Sequence, residues 1–249
     1  MTDVTYDFAE RVAVVTGAAT GIGEATARAL SHSGAPVFLL DIDTERGAVL
    51  GRELGTFIET DVTSLESLDR AFAEISRNHG RLDVLVNNAG GFGTQATTET
   101  IDPSEWRALV ELNLTSVFLT CRTAIPLLRR SSAGRIINIG SLAGQTGGYR
   151  TSPAYAAAKA GVHSYTRVLA HELAADGITV NAIAPSAVLT DRIRAVRDET
   201  ERAATAASIP LGRYQTPDEL AAWIMFLASD ESGFMTGETV AVNGGRFMT

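Results

Sequence analysis

"VAVVTGAATGIGEATARAL" (residues 12–30) sets a short apolar run against an amphipathic one, with a glycine-rich turn between them. A run without polar side chains reads as a strand buried on both faces, which places it in a parallel sheet covered by helices on each side. Gly17, Gly21 and Gly23 occupy the turn, where glycine lets the backbone bend tightly and approach a pyrophosphate whose charge the helix N-terminus stabilises. The order is G-x-x-x-G-x-G, not the G-x-G-x-x-G of the usual dinucleotide fingerprint. A turn that serves only strand-to-helix packing writes the same string.

The alternation continues to the end of the chain. Apolar runs recur in "PVFLLD", "TFIETDV", "LDVLVNNAG", "GRIINIGS", "GITVNAIAP" and "ETVAVNGG". Between them lie helical stretches, among them residues 64–79, 103–130, a helix through Tyr155 to about residue 176, and "PDELAAWIMFLAS". The expected fold is α/β: a single-domain, doubly wound Rossmann fold with a seven-stranded, mainly parallel sheet flanked by helices. No linker or repeat divides it, so residues 1–249 are expected to form one dinucleotide-binding and catalytic domain. Only residues 186–210 break the pattern, being long and charged for a connection, and a substrate lid is expected there.

Composition narrows the partners. The 249 residues carry a net charge of -8 and a pI near 5.0, which argues against a nucleic-acid or anionic-membrane surface. Cys121 is the one cysteine, so no intramolecular disulfide and no cysteine-built metal site is expected. The first residues are acidic where a signal peptide is basic, and no apolar run reads as long enough to span a membrane. A cytoplasmic protein is expected.

Asp41 closes the second apolar run about 20 residues after the glycine turn, where a carboxylate accepts the hydroxyls of an adenosine ribose. A cap at a strand end is the other reading of the same residue. A phosphate on that ribose would meet like charge, and neither Thr20 nor Ile42 supplies a base to compensate. NAD is therefore expected over NADP. Further on, "YAAAK" spaces Tyr155 and Lys159 by one helical turn, so both point to one face. Lys159 is the only lysine in a chain whose Lys+Arg total is 21. A compact, titratable ammonium is what arginine does not replace.

Taken together, these motifs resemble the short-chain dehydrogenase/reductase family from about residue 11 to residue 245. "TGAATGIG" is similar to the family's cofactor turn, bringing Thr20 and Ile22 in with the glycines. Asp61 and Val62 match its adenine pocket, "NNAG" (Asn88, Ala89, Gly90) its cofactor wall, and Asn113, Ser141, Tyr155 and Lys159 its catalytic set. The resemblance implies that Tyr155 moves the proton as general acid/base, and that Ser141 holds the substrate oxygen. It implies that Lys159 binds the nicotinamide ribose and lowers the tyrosine pKa, and that Asn113 supports a water relay. Pro185, Val188 and Thr190 would border the nicotinamide. Ser141 as a turn cap, and Asn113 as a buried amide tying helix to sheet, are the structural readings of the same residues.

One departure from the family follows the sixth apolar run, where Ser186 stands in place of glycine and adds a side chain near the substrate. The expected pocket walls are Phe92, Leu142, Gln145, Tyr149, Ser186, Leu189, Ile193 and Val196, mostly apolar, which suggests an uncharged or aromatic ketone. Arg192, Arg194, Arg197 and Arg202, interleaved with acids, read as a solvated helix face. His163 and His171 lack ligand partners and read as core or surface residues, with no metal expected. The function expected is an NAD(H)-dependent dehydrogenase/reductase interconverting a secondary alcohol and a ketone. A 3-oxoacyl-thioester reductase acting on acyl carrier protein or CoA esters is the alternative, ahead of a non-catalytic nucleotide-binding protein. The resemblance also implies a homotetramer, with Leu109, Leu112, Phe118, Val168 and Leu169 facing outward.

Overall fold

A computed structural model of the chain describes residues 6–148 and 151–248; Tyr149 lies outside the described residues. Seven strands, β1 (Ala13–Thr16), β2 (Val37–Asp41), β3 (Thr56–Glu59), β4 (Val84–Asn87), β5 (Arg135–Ile139), β6 (Thr179–Pro185) and β7 (Thr239–Val242), form one sheet. Its order is β3-β2-β1-β4-β5-β6-β7 and every pairing is parallel. The helices are α1 (Gly21–His32), α2 (Thr44–Leu54), α3 (Leu65–His79), α4 (Pro103–Val110), α5 (Ser116–Leu128), α6 (Ala143–Thr146), α7 (Pro153–Leu173), α8 (Asp191–Val196), α9 (Glu199–Ala207) and α10 (Pro217–Ala228).

The two-residue period of a strand explains why the sheet needs cover on both faces. In and beside β1, Val12 and Val14 enter a core with Phe72 of α3, Cys121 of α5 and Val162 of α7. Ala13 and Val15 point the other way, into a core with Leu30 of α1, Leu50 of α2 and Ile224 of α10. Strand order reverses between β1 and β4, which opens a crevice at the carboxyl ends of the central strands where an α/β sheet binds its ligands.

The helix expected over 103–130 is not one α-helix. Between α4 and α5, Glu111–Thr115 widens into a π-helical turn. Asn113 lies in it, fully buried, and its amide donates to the Leu109 carbonyl at 2.9 Å. A side chain that takes a helix carbonyl competes with the backbone ladder, a local cause for the widened turn. The whole stretch Pro103–Leu128 is, contrary to the sequence expectation, long and apolar enough by length and composition to cross a membrane. Its Val117, Cys121, Ala124, Leu127 and Leu128 are nonetheless buried against α3 and α7, as in a core helix. Leu109 and Leu169, expected to face outward, are also buried in the chain's own core, whereas Phe118 and Val168 are about half exposed.

Candidate active site

The glycine turn is built for close approach. Gly17 adopts φ +62° and Gly21 φ +57°, both left-handed, where a side chain is strained. A Cβ on Gly23 would come within 2.0 Å of the Gly17 carbonyl oxygen, and one on Gly17 within 2.9 Å of the Ala89 Cα. Thr20 caps α1 in an extended conformation, with no side-chain bond to the first-turn N–H groups. This smooth, N–H-lined concavity fits a dinucleotide pyrophosphate. Asn88 braces it: its amide donates to the carbonyls of Thr16 and Gly17, both at 2.9 Å, so its side chain fastens β4 to the turn instead of facing outward. Gly90 opens beside Lys159, whose Nζ would lie 3.5 Å from a Cβ there.

At the adenosine end, the Asp41 carboxylate accepts from the N–H groups of Ala19 at 2.8 Å and Asp43 at 3.0 Å. The strand-end cap is thus a real role, and each oxygen keeps a lone pair for a ribose hydroxyl. Ile42 is exposed. Arg46, which the sequence reading passed over, donates to the Ala19 carbonyl at 3.1 Å and pairs with Glu24 at 3.2 Å. Glu24 also takes Arg28, which pairs in turn with Glu53 at 2.5 Å, so Arg46 shares a cluster of two cations and two carboxylates. Asp61 holds a turn, accepting from the Thr63 N–H and hydroxyl, while Val62 is buried and Ile22 half-buried.

The residues expected to handle the proton meet at the ends of β4 and β5. Lys159 is buried and donates to the Ile139 carbonyl at 2.7 Å, and burial pulls its ammonium down to about 8. Its Nζ lies 5.9 Å from the Tyr155 ring centroid. The Tyr155 phenol is pushed up by burial, against the pull of the Ser141 hydroxyl beside it and of the charge on Arg192. The lowering expected from Lys159 is not produced by this geometry, in which the ammonium is turned to the Ile139 carbonyl and Ser141 and Arg192 are the groups that pull the phenol down. Ser141 is buried, its hydroxyl accepting from the Ala143 N–H at 3.1 Å, the turn-cap role. Asn113 grips the loop after β4 at both ends, donating to the Gly91 carbonyl at 2.8 Å and accepting from the Gly91 N–H at 3.1 Å.

His163 is the residue the sequence reading left idle. It lies one turn after Lys159 and two after Tyr155 on the same helix, a spacing that marks a shared face. Its Nε2 accepts from the Ser141 N–H at 3.3 Å, and burial first, then the charges of Lys159 and Arg167, push it down to about 4. A neutral imidazole thus holds Ser141 in place.

On the far side, Pro185 accepts from the Leu142 N–H at 2.9 Å, joining the end of β6 to the Ser141 turn. Val188 is buried and bridges Gln215, and Thr190 caps α8 through the Ile193 N–H. The Ser186 hydroxyl donates to the Asn243 carbonyl at 3.1 Å, which ties the chain after β6 to the chain after β7. Leu142 is buried, Gln145, Leu189 and Ile193 are half-buried, and Val196 is exposed. Phe92 faces Arg192, so the wall expected to be apolar carries a cation.

A family model described as enoyl-(acyl carrier protein) reductase matches residues 17–246. The chain belongs to the short-chain dehydrogenase/reductase family. Among curated relatives of this family, it is 41% identical over 242 residues to a 3-oxoacyl-(acyl-carrier-protein) reductase of Vibrio cholerae, covering 96% of this chain and 98% of the relative. It is 42% identical over 247 residues to a cis-4-hydroxycyclohexanecarboxylate dehydrogenase of Sinomonas cyclohexanicum, covering 96% and 97%. Among solved structures, one described as the Pseudomonas aeruginosa RhlG/NADP active-site complex superposes with a TM-score of 0.92 at 36% identity, covering 97% and 98%. As a short-chain dehydrogenase/reductase, the chain is an oxidoreductase of hydroxyl and keto groups that uses a nicotinamide dinucleotide.

Proposed function

We propose that this protein is an NAD(H)-dependent oxidoreductase interconverting a secondary alcohol and a ketone, with Tyr155 as general acid/base. The observation that carries the reading is the meeting of Tyr155, Ser141, Lys159 and Asn113 beside a glycine-lined cradle. When bound, the nicotinamide supplies the hydride acceptor or donor. Tyr155 gives its phenolic proton to the carbonyl oxygen during reduction and takes it back during oxidation. The Ser141 hydroxyl hydrogen-bonds that oxygen and fixes it against the phenol. Lys159 offers further donors to the ribose hydroxyls, Asn113 keeps the adjoining loop in register and supports the water relay, and residues 186–210 close over the substrate as a lid.

The NAD preference rests on Asp41, whose carboxylate would repel a ribose phosphate, while Arg46 is held in balance by Glu24. A 3-oxoacyl-thioester reductase is the second reading, favoured by the 41% identity to an enzyme of that name. The cis-4-hydroxycyclohexanecarboxylate dehydrogenase at 42% identity instead points to a ring alcohol that bears an acid. The same reading proposes a cytoplasmic homotetramer acting on a small-molecule substrate, without nucleic-acid or membrane partners. The test is an absorbance screen with NADH and NADPH against ketones, keto acids and 3-oxoacyl thioesters. Turnover with NADH that falls at least about a hundredfold in Tyr155→Phe, with NADH binding kept, is expected. Equal turnover in the variant would remove Tyr155 from the mechanism.

A further inference from the structure

Most of the lid's cationic side chains have roles inside the lid or on its surface. Arg197 donates to the Thr205 hydroxyl at 3.1 Å, and Arg202 donates to the Arg197 carbonyl at 2.6 Å. Arg192 does neither. Its guanidinium leaves α8 and lies 4.6 Å from the centroid of the Phe92 ring. It also packs so close to Gly91 that a Cβ there would come within 2.9 Å of Nη1. Among the described residues no carboxylate pairs with it.

The platform beneath it is not a loose loop. Gly91 is clasped through both its N–H and its carbonyl by Asn113, which anchors the guanidinium to the same frame that holds the proposed catalytic groups. The electrostatic influence of Arg192 reaches Tyr155, where it pulls the phenol down. A cation therefore stands at the mouth of the site, within range of the proposed proton donor, with no carboxylate among the described residues paired to neutralise it.

We propose that Arg192 is the docking point for a substrate carboxylate, so that this enzyme acts on small keto acids and hydroxy acids in preference to uncharged ketones. The inference rests on the reading of Tyr155 as the proton-transfer group, which fixes where the other end of the substrate must lie. A guanidinium lying over an aromatic face has one side shielded from water, and although its Nη1 and Nη2 end faces Gly91, none of its N–H groups has a hydrogen-bond partner among the described residues, which leaves them to pair with a carboxylate. On a chain with a net charge of -8, the long-range field opposes an anionic substrate, and a local cation is what a binding site must add. The proximity to Tyr155 favours an acid group only a short spacer away from the reacting carbon. The phosphates of an acyl-CoA, which lie far from its keto group, fit this position less well.

The test compares 4-oxocyclohexanecarboxylate with its methyl ester, and adds acetoacetyl-CoA, on wild type and on Arg192→Met, a swap that keeps length and removes charge. Wild type should prefer the acid to the ester by about ten- to a hundredfold in kcat/KM, the range of a charge-assisted bidentate contact. In Arg192→Met the preference for the acid should be lost, mainly through a higher KM for the acid, while any change in kcat that comes through the Tyr155 phenol, whose pKa Arg192 helps to lower, should fall on acid and ester alike. Equal use of acid and ester by wild type would overturn the proposal, and so would a variant that keeps the wild-type preference for the acid. If the largest loss were for acetoacetyl-CoA, the anion recognised would be a phosphate and the carboxylate assignment would be wrong. Calorimetric binding of cyclohexanecarboxylate, which cannot be reduced, separates the two readings. Binding that is lost in Arg192→Met and kept in Tyr155→Phe supports the arginine even if Tyr155 proves not to carry the proton. No binding to wild type, together with no preference for the acid, refutes it.

Discussion

Lys159 is held by a bond to one carbonyl in a buried slot, and that is a demand on size as well as on charge. Replacing it with arginine keeps the charge but brings a planar, wider group to a place where Gly90 and the Ile139 carbonyl already lie close. Lys159→Arg is expected to lose about a hundredfold or more in kcat. Rates equal to wild type at pH values on both sides of 8 would show that the lone lysine has no special role. His163 gives a second prediction at this scale. Its folded-state pKa of about 4 lies below the ordinary value of about 6.5, so the unfolded chain takes up the proton first as pH falls. The stability it contributes is therefore complete above about pH 6.5 and is lost progressively toward pH 4. Of that loss, about 2 kcal/mol should fall between pH 7 and pH 5. Gln at 163 does not titrate, though its amide oxygen can still accept from the Ser141 N–H. Urea unfolding of wild type and His163→Gln at both pH values should show a gap that changes by that amount. A gap of constant size would mean that His163 does not titrate in this window.

The π turn and α7 act together as elements, and their contact passes through a glycine. Gly161 faces Leu114, one residue from Asn113, so closely that a Cβ would fall 2.7 Å from its Cδ2. Gly161→Val should therefore push α7 off the turn, costing about 1–3 kcal/mol and lowering kcat by displacing Asn113. Ala160→Val, on the exposed side, should cost only the few tenths expected of a β-branched residue in a helix. Thermal unfolding of both variants tests this, and equal shifts would show that the helix contact is not tight. The strands and most helices were legible in the sequence, because a doubly covered sheet imposes apolar runs and amphipathic intervals. The π turn was not, since it depends on where the Asn113 amide finds a carbonyl across space. Tyr155, Ser141 and Lys159 were readable from local spacing and resemblance. Arg192 and Arg46 were not: a charged residue in a polar helix looks solvated until the fold brings an aromatic ring or a glycine turn to it. His163 was within reach of the sequence, given its helical spacing to Tyr155 and Lys159, but no partner for it was visible there.

At the scale of the whole molecule, two apolar faces remain uncovered and lie on opposite sides of the sheet. On the side of α5 and α7, Phe118 and Val168 are 45% and 48% exposed, and Phe118 meets Tyr165 edge-on at 6.2 Å. On the side of α10, Trp223 is 42% exposed and meets Phe226 edge-on at 6.4 Å. Nearby, β7 ends the sheet with Val240 and Val242 only partly covered. An unpaired edge strand and a half-bare aromatic pair call for a partner. One self-complementary face makes a dimer, whereas two distinct ones, each paired about its own two-fold axis, close into a tetramer and stop. These two faces support the proposed homotetramer, although Leu109 and Leu169, which were expected on its surface, belong to the monomer core. Light scattering at micromolar concentration should report four chains for wild type. Phe118→Asp combined with Val168→Asp should leave a dimer joined through α10 and β7, and Trp223→Asp should leave the other dimer. All three substitutions together should yield a monomer. A wild-type monomer would show that both faces are simply solvated, and a wild-type dimer insensitive to one of the two sets would show that only the other face pairs.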